Sequence, residues 1–211
     1  MVKLAQKIKD KELRKKVIDL LKNPQLGHKG FAKYKPMKIE EARCIFSVTS
    51  SQGTITVERD VLNHSIALAN LCLRAAEIME KSYGIKLNKD HLLAAAIVHD
   101  LMKVFEYKKG ESGLEHTGIL LDHTMLGVAE LYRREFPEEV IHIVASHFGE
   151  TGPTPPRNFE ALLFHYCDNM LSMIELRLYA SQQQTQPVQL VLLDEETLRK
   201  IAEEEVKKLE K

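Results

Sequence analysis

Apolar residues recur at helical spacing through most of the chain. After Asp10, KELRKKVIDLLK carries Leu13, Val17, Leu20 and Leu21 on one face and stops at Asn23-Pro24, which predicts a short amphipathic helix. Residues 24–57 hold Gly27, Gly30, Pro36 and Gly53, and their pattern gives only a short helix at Lys38–Phe46 and an extended patch at Thr54–Val57. From Glu58 to Tyr83 one wide apolar face, including Val61, Ile66, Leu68, Cys72 and Ala76, predicts a long helix that Gly84 stops. Asn88 caps the next, Lys89 to about Phe105, whose run Leu92–Val98 is apolar all round and belongs at the domain centre. Glycines among charges make Glu106–Leu121 a loop or short hairpin. Asp122 or Thr124 starts a helix to Phe136, Pro137 starts another through Phe148, and after GETGPTPPRN Asn158 caps a long helix to about Ser181. A glutamine-rich connection, residues 182–193, leads to Asp194 and a terminal amphipathic helix with Leu198, Ile201, Val206 and Leu209 inward. The expected fold class is all-α: about eight helices with little or no sheet. One domain over residues 1–211 is expected, its core at about 58–181 and its two ends packed on it as helical extensions.

Composition narrows the function. The 211 residues carry 30 Lys+Arg against 30 Asp+Glu and are 44% hydrophobic, which excludes disordered and fibrous classes. Net charge is zero, so a broad electrostatic grip on duplex DNA or an anionic membrane is not expected, and a polyanionic substrate must be held locally. Cys44, Cys72 and Cys167 lack metal-binding spacing and read as free buried thiols of a reducing compartment. The charged N-terminus lacks signal-peptide character, and Leu92–Val98 falls far short of the ~20 apolar residues of a membrane span; a cytoplasmic protein is the expectation. The apolar segment Val188–Leu193 offers a weak dimerisation signal.

The chemistry lies in polar residues where burial is expected. In AAAIVHDLMK, His99 and Asp100 close the central apolar helix, and an unpaired buried carboxylate there costs several kcal/mol. Taken alone, the dipeptide also fits a helix end satisfied by backbone groups and Lys103. His64 on the preceding helix and Asp168 inside FEALLFHYCDNMLSMI bring further ligands from buried helices. Imidazole and carboxylate suit Mn, Fe, Co, Ni or Zn as a divalent ion. His123 and His147 extend the set to four histidines and two aspartates, a pattern for one or two metals with Asp100 bridging.

His64, then His99-Asp100, then Asp168 resembles the signature of the HD superfamily of metal-dependent phosphohydrolases, over about residues 58–181. HDLMK, LDHTMLG, ASHFGE, the Pro155-Pro156 pair and ALLFHYCDNMLSMI further resemble the HD domain of bacterial 3'-to-5' exoribonucleases that also carry an OB-fold. Two features depart from that pattern: the N-terminal 57 residues are too short and too helical to supply an OB-fold, and Phe148 stands where a second histidine often follows the first. No GYP motif follows the HD pair, so the resemblance does not extend to cyclic di-GMP hydrolysis.

The resemblance implies an HD-domain helical bundle that cleaves a phosphoester with metal-activated water. Asp100 and Lys103 are then the catalytic residues; Lys103, His165 and Arg157 bind substrate; and His64, His99, Asp100, His123, His147 and Asp168 hold metal. The expected partner is a small phosphorylated substrate, with nucleotides and short RNA among the candidates. Two alternatives share the ligand set: a diiron oxygenase of the same superfamily, and a non-catalytic metal-containing binding module.

Overall fold

Side-chain caps set most helix boundaries. In the computed structural model, which describes residues 1–50, 53–111 and 113–184, α1 (Val2–Ala5) precedes α2 (Lys11–Lys22). Asp10 caps α2 by accepting from Leu13 N at 2.9 Å. The backbone N–H groups of Lys9 and Asp10 donate to the Asp90 carboxylate, which fastens this segment to the start of the central helix. Asp60 caps α3 (Val61–Tyr83), and Gly84, at φ +69°, supplies the left-handed residue that ends it. Asn88 caps α4 (Lys89–Val98) through Asp90 N and His91 N. Residues Leu92 to Val98 are all buried, as their apolar run predicts, and α4 packs against α2, α3 and α6 (Glu138–Ala145).

The helix expected over Lys89–Phe105 is divided. It ends at Val98, and after His99 and Asp100 the chain tightens into a 3-10 turn, Leu101–Phe105. Asp100 sits at φ −97°, ψ 1°, the sparsely populated bridge region that many active-site residues adopt. The short helix expected at Lys38–Phe46 is not formed. One turn closes at Lys38–Ala42, and β1 (Arg43–Ser50) then pairs antiparallel with β2 (Gly53–Asp60), Cys44 opposite Arg59 and Phe46 opposite Val57. Arg43 to Thr49 is rich in β-branched and aromatic residues, and cross-strand pairing outweighs their weak helical pattern.

The glycine-containing segment forms the expected hairpin, β3 (Tyr107–Lys109) with β4 (Leu114–His116). Asp122 caps α5 (His123–Arg133), Pro137 precedes α6, and Asn158 caps α7 (Phe159–Gln184) by accepting from Ala161 N at 2.8 Å. The fold is all-α with two small two-stranded sheets, and its described compact unit spans Met1–Ala180. All three cysteines are buried and free. No helix among the described residues is long and apolar enough to cross a membrane. The readings made for Val188–Leu193 and for the helix after Asp194 lie outside the described residues.

Candidate metal centre

The polar residues singled out inside apolar segments are delivered by several helices and their ends. His64 lies one turn into α3, His99 and Asp100 follow the last turn of α4, and Lys103 sits in the 3-10 turn beyond. His123 is the first residue of α5, His147 lies just past α6, and His165 and Asp168 share a turn of α7. All are buried.

The structure brings the six expected ligands together. His64, His99 and Asp100 form one triad and Asp100, His123 and His147 a second, with ligand atoms in each within 4.8 Å of one another. Asp100 belongs to both. The imidazoles run as a chain, with ring centroids 5.5 Å apart for His64–His99, 5.6 Å for His99–His147 and 5.7 Å for His123–His147. Asp168 Oδ1 lies 3.0 Å from His64 Nε2.

Every histidine of the cluster has its Nδ1 tied to an acceptor. His64 Nδ1 meets Glu175 Oε2 at 2.8 Å, and His123 Nδ1 meets Glu106 Oε1 at 3.0 Å. His99 Nδ1 donates to Ala96 O at 3.2 Å and His147 Nδ1 to Val144 O at 2.7 Å. Such bonds can fix the tautomer that leaves Nε2 as the lone-pair nitrogen and raise its basicity, whereas His64 also meets Asp168 through Nε2. Nε2 of His99 and of His123 is buried without a hydrogen-bond partner, although His123 Nε2 lies only 3.2 Å from Asp100 Oδ1. Buried nitrogens are rarely left orphaned, and a divalent cation is the partner this donor set fits. Four carboxylates, Asp100, Asp168, Glu106 and Glu175, stand here against the Arg59 guanidinium and the Lys103 ammonium, which leaves room for cationic charge.

Electrostatics prepare the same donors. Burial brings the His99 imidazole down to about 3, despite the carboxylates of Asp100 and Asp168, so it is neutral near pH 7. Burial likewise lowers His147. For Asp168 burial acts upward, but the hydrogen bond from His64 and the neighbouring histidines outweigh it and bring the carboxyl down to about 2. Asp100 is held well below its ordinary value: burial is opposed by Lys103, His99, His123 and Arg59. Burial pulls the Lys103 pKa down, but the nearby acidic groups, Asp100 foremost, outweigh it and raise it.

A cavity of about 220 Å³ opens onto this cluster. Asp100, Lys103, His165 and Asp168 line its polar part, while Phe46, Phe148 and Met173 give it an apolar rim. His165 Nδ1 donates to His147 O at 2.7 Å, leaving Nε2, 4.0 Å from Glu150 Oε2, as the ring nitrogen available to a ligand. Arg157 is exposed and lies outside the lining; its backbone N–H donates to His142 Nε2 at 3.0 Å. Three participants escape the sequence reading: Arg59, Glu106 and Glu175. Asp168, Ser172 and Glu175, at i, i+4 and i+7, form a polar stripe on α7 that helical periodicity exposes. Arg59 carries no such signal, because a strand delivers it to partners far along the chain.

A model of the HD domain matches residues 61–191. Dihydroneopterin 2',3'-cyclic phosphate phosphodiesterase of Methanocaldococcus jannaschii is 42% identical over 176 residues, which is 82% of this chain and 68% of that protein. The 3'-5' exoribonuclease YhaM of a Geobacillus species is 32% identical over 126 residues, and that of Bacillus subtilis 33% over 120. Both alignments take in 51% of this chain, and they span 39% and 36% of the exoribonucleases' length. No solved structure matches the chain at a significant level.

Proposed function

The chain belongs to the HD domain family, and from that premise we propose that it is a metal-dependent phosphohydrolase cleaving a small phosphodiester. The observation that carries this reading is the buried cluster of four histidines and two aspartates, its Nδ1 atoms tied back and Nε2 of His99 and His123 without a hydrogen-bond partner. His64, His99, Asp100, His123, His147 and Asp168 are the residues that would hold one or two divalent ions, with Mn, Fe, Co, Ni and Zn suited to the donor set. Divalent ions bound there supply Lewis acidity toward water and phosphoryl oxygens.

The protein's own groups do the rest. Lys103, kept charged by Asp100 at 3.6 Å, places an ammonium where a non-bridging phosphate oxygen is held. His165 presents Nε2 to the substrate and, when protonated, delivers a proton to the leaving oxygen. Phe148, 44% exposed at the rim, and Met173 offer apolar surface to the organic part of the ester. The cavity's size and the relative from Methanocaldococcus jannaschii together favour a cyclic phosphodiester carried on a planar heterocycle.

The decisive experiment pairs elemental analysis of protein purified without added metal with hydrolysis of bis(p-nitrophenyl) phosphate under argon and under air. The expected result is one or two transition-metal ions per chain and hydrolysis at equal rates in both atmospheres. Oxygen uptake without hydrolysis, or protein that takes up no metal, would overturn the reading.

A further inference from the structure

We infer that Arg59, contributed by the β1–β2 hairpin, is a phosphate-binding residue whose guanidinium receives a non-bridging oxygen of the substrate beside Lys103. This rests on the phosphohydrolase reading above and assigns that site a second anion receptor.

The geometry is specific. Arg59 is 4% exposed yet lines the cavity with Lys103 and His165. Its Nη2 donates to Asp100 Oδ2 at 2.9 Å and its Nη1 to Ser172 Oγ at 2.8 Å, while Lys103 Nζ approaches Asp100 Oδ1 at 3.6 Å. Two cations therefore flank the two oxygens of one carboxylate, the one shared by both triads. A phosphate entering beside that carboxylate would meet a positive group on each side. A guanidinium has five N–H donors in a rigid fork matched to phosphate oxygens; on Arg59, Nη1 also lies 3.1 Å from His64 Nδ1, and Nε is buried without a hydrogen-bond partner. The plane of the group is supported by Phe46, whose ring centroid lies 5.1 Å from Cζ, and by Glu175 Oε2 at 3.6 Å from Nη1.

Position in the chain adds a second argument. The family match begins at residue 61, so Arg59 and Phe46 stand on an element that precedes the matched segment. The ligands and Lys103 lie within the match. The hairpin thus contributes recognition to a metal site that the rest of the chain builds.

The test uses the full chain loaded with Mn(II), the variants Arg59→Lys and Arg59→Gln, elemental analysis, calorimetric titration with inorganic phosphate, and steady-state hydrolysis of bis(p-nitrophenyl) phosphate. Arg59→Lys keeps the buried charge and is expected to retain fold and metal content, to bind phosphate about fivefold more weakly, and to raise KM more than it lowers kcat. Arg59→Gln is expected to weaken phosphate about tenfold or more at unchanged metal content. Should Arg59→Gln not fold, Arg59→Lys decides alone. Unchanged phosphate affinity in a metal-replete variant overturns the inference, as does a loss confined to metal content or to kcat. Wild-type protein that takes up metal but hydrolyses nothing would sink the phosphohydrolase reading instead, and the phosphate titration would still report on Arg59.

Discussion

Asp100 concentrates the site's chemistry in one side chain. It belongs to both triads and meets Arg59 at 2.9 Å, so Asp100→Ala removes a proposed ligand and the carboxylate that Arg59 and Lys103 share. The expected result is loss of bound metal and a fall in kcat/KM of about a thousandfold or more, read by elemental analysis and steady-state rates. Glu175 and Glu106 act through the histidines they orient. Glu175→Gln or Glu106→Gln should weaken metal affinity about 10–100-fold in a chelator competition while leaving the fold intact. His99 makes the metal-free protein sensitive to acid. The unfolded chain binds a proton near pH 6.5 that the folded protein refuses until about 3, so stability falls as the pH drops through that window, by on the order of 5 kcal/mol in full. His147, also lowered, acts in the same direction. His64 is held above its ordinary value by Asp168 and Glu175 against the pull of burial, and loses its contribution only as the pH rises. Urea midpoints of metal-free protein at pH 7 and pH 4 test this, and equal midpoints would refute it. The residues of the buried cluster were legible because histidine and aspartate inside apolar helices demand a partner. Arg59 and Glu106 were not, because ordinary surface residues look the same until the fold carries them inward.

Helix boundaries followed local chemistry and were largely readable. Asn88, Asp122 and Asn158 cap helices where they stand in the sequence, and Gly84 ends α3. Asn88→Ala leaves two backbone donors of α4 uncapped and should cost about 1 kcal/mol, seen as a lowered melting temperature with metal content preserved. Two elements departed from their local pattern for tertiary reasons. The turn at His99-Asp100 divides a stretch whose composition reads as one helix, and strand pairing captures Arg43 onward. Both departures are at the cavity, where side-chain placement competes with backbone regularity.

For the molecule as a whole, a cation held by the proposed cluster of six buried side chains would couple metal to stability. Ligand that binds only the folded state at a hundred times its Kd adds about 2.7 kcal/mol. Removing metal by chelation should therefore lower the melting temperature by roughly 5–10 °C and abolish hydrolysis, and readdition should restore both. A melting curve indifferent to chelator would separate the cluster from metal altogether. The hairpin that bears Arg59 carries one more consequence, and it is arithmetic. Along β2, Val57 and Arg59 are buried while Thr56 and Glu58 are exposed, the alternation of a strand with one inward face. A one-residue slip of this end of β2 against its surroundings would invert that parity, turning the guanidinium outward and an acidic neighbour inward. A wall that welcomes anions would become one that repels them, with no ligand changed. Substrate preference here can thus be rewritten by odd and even.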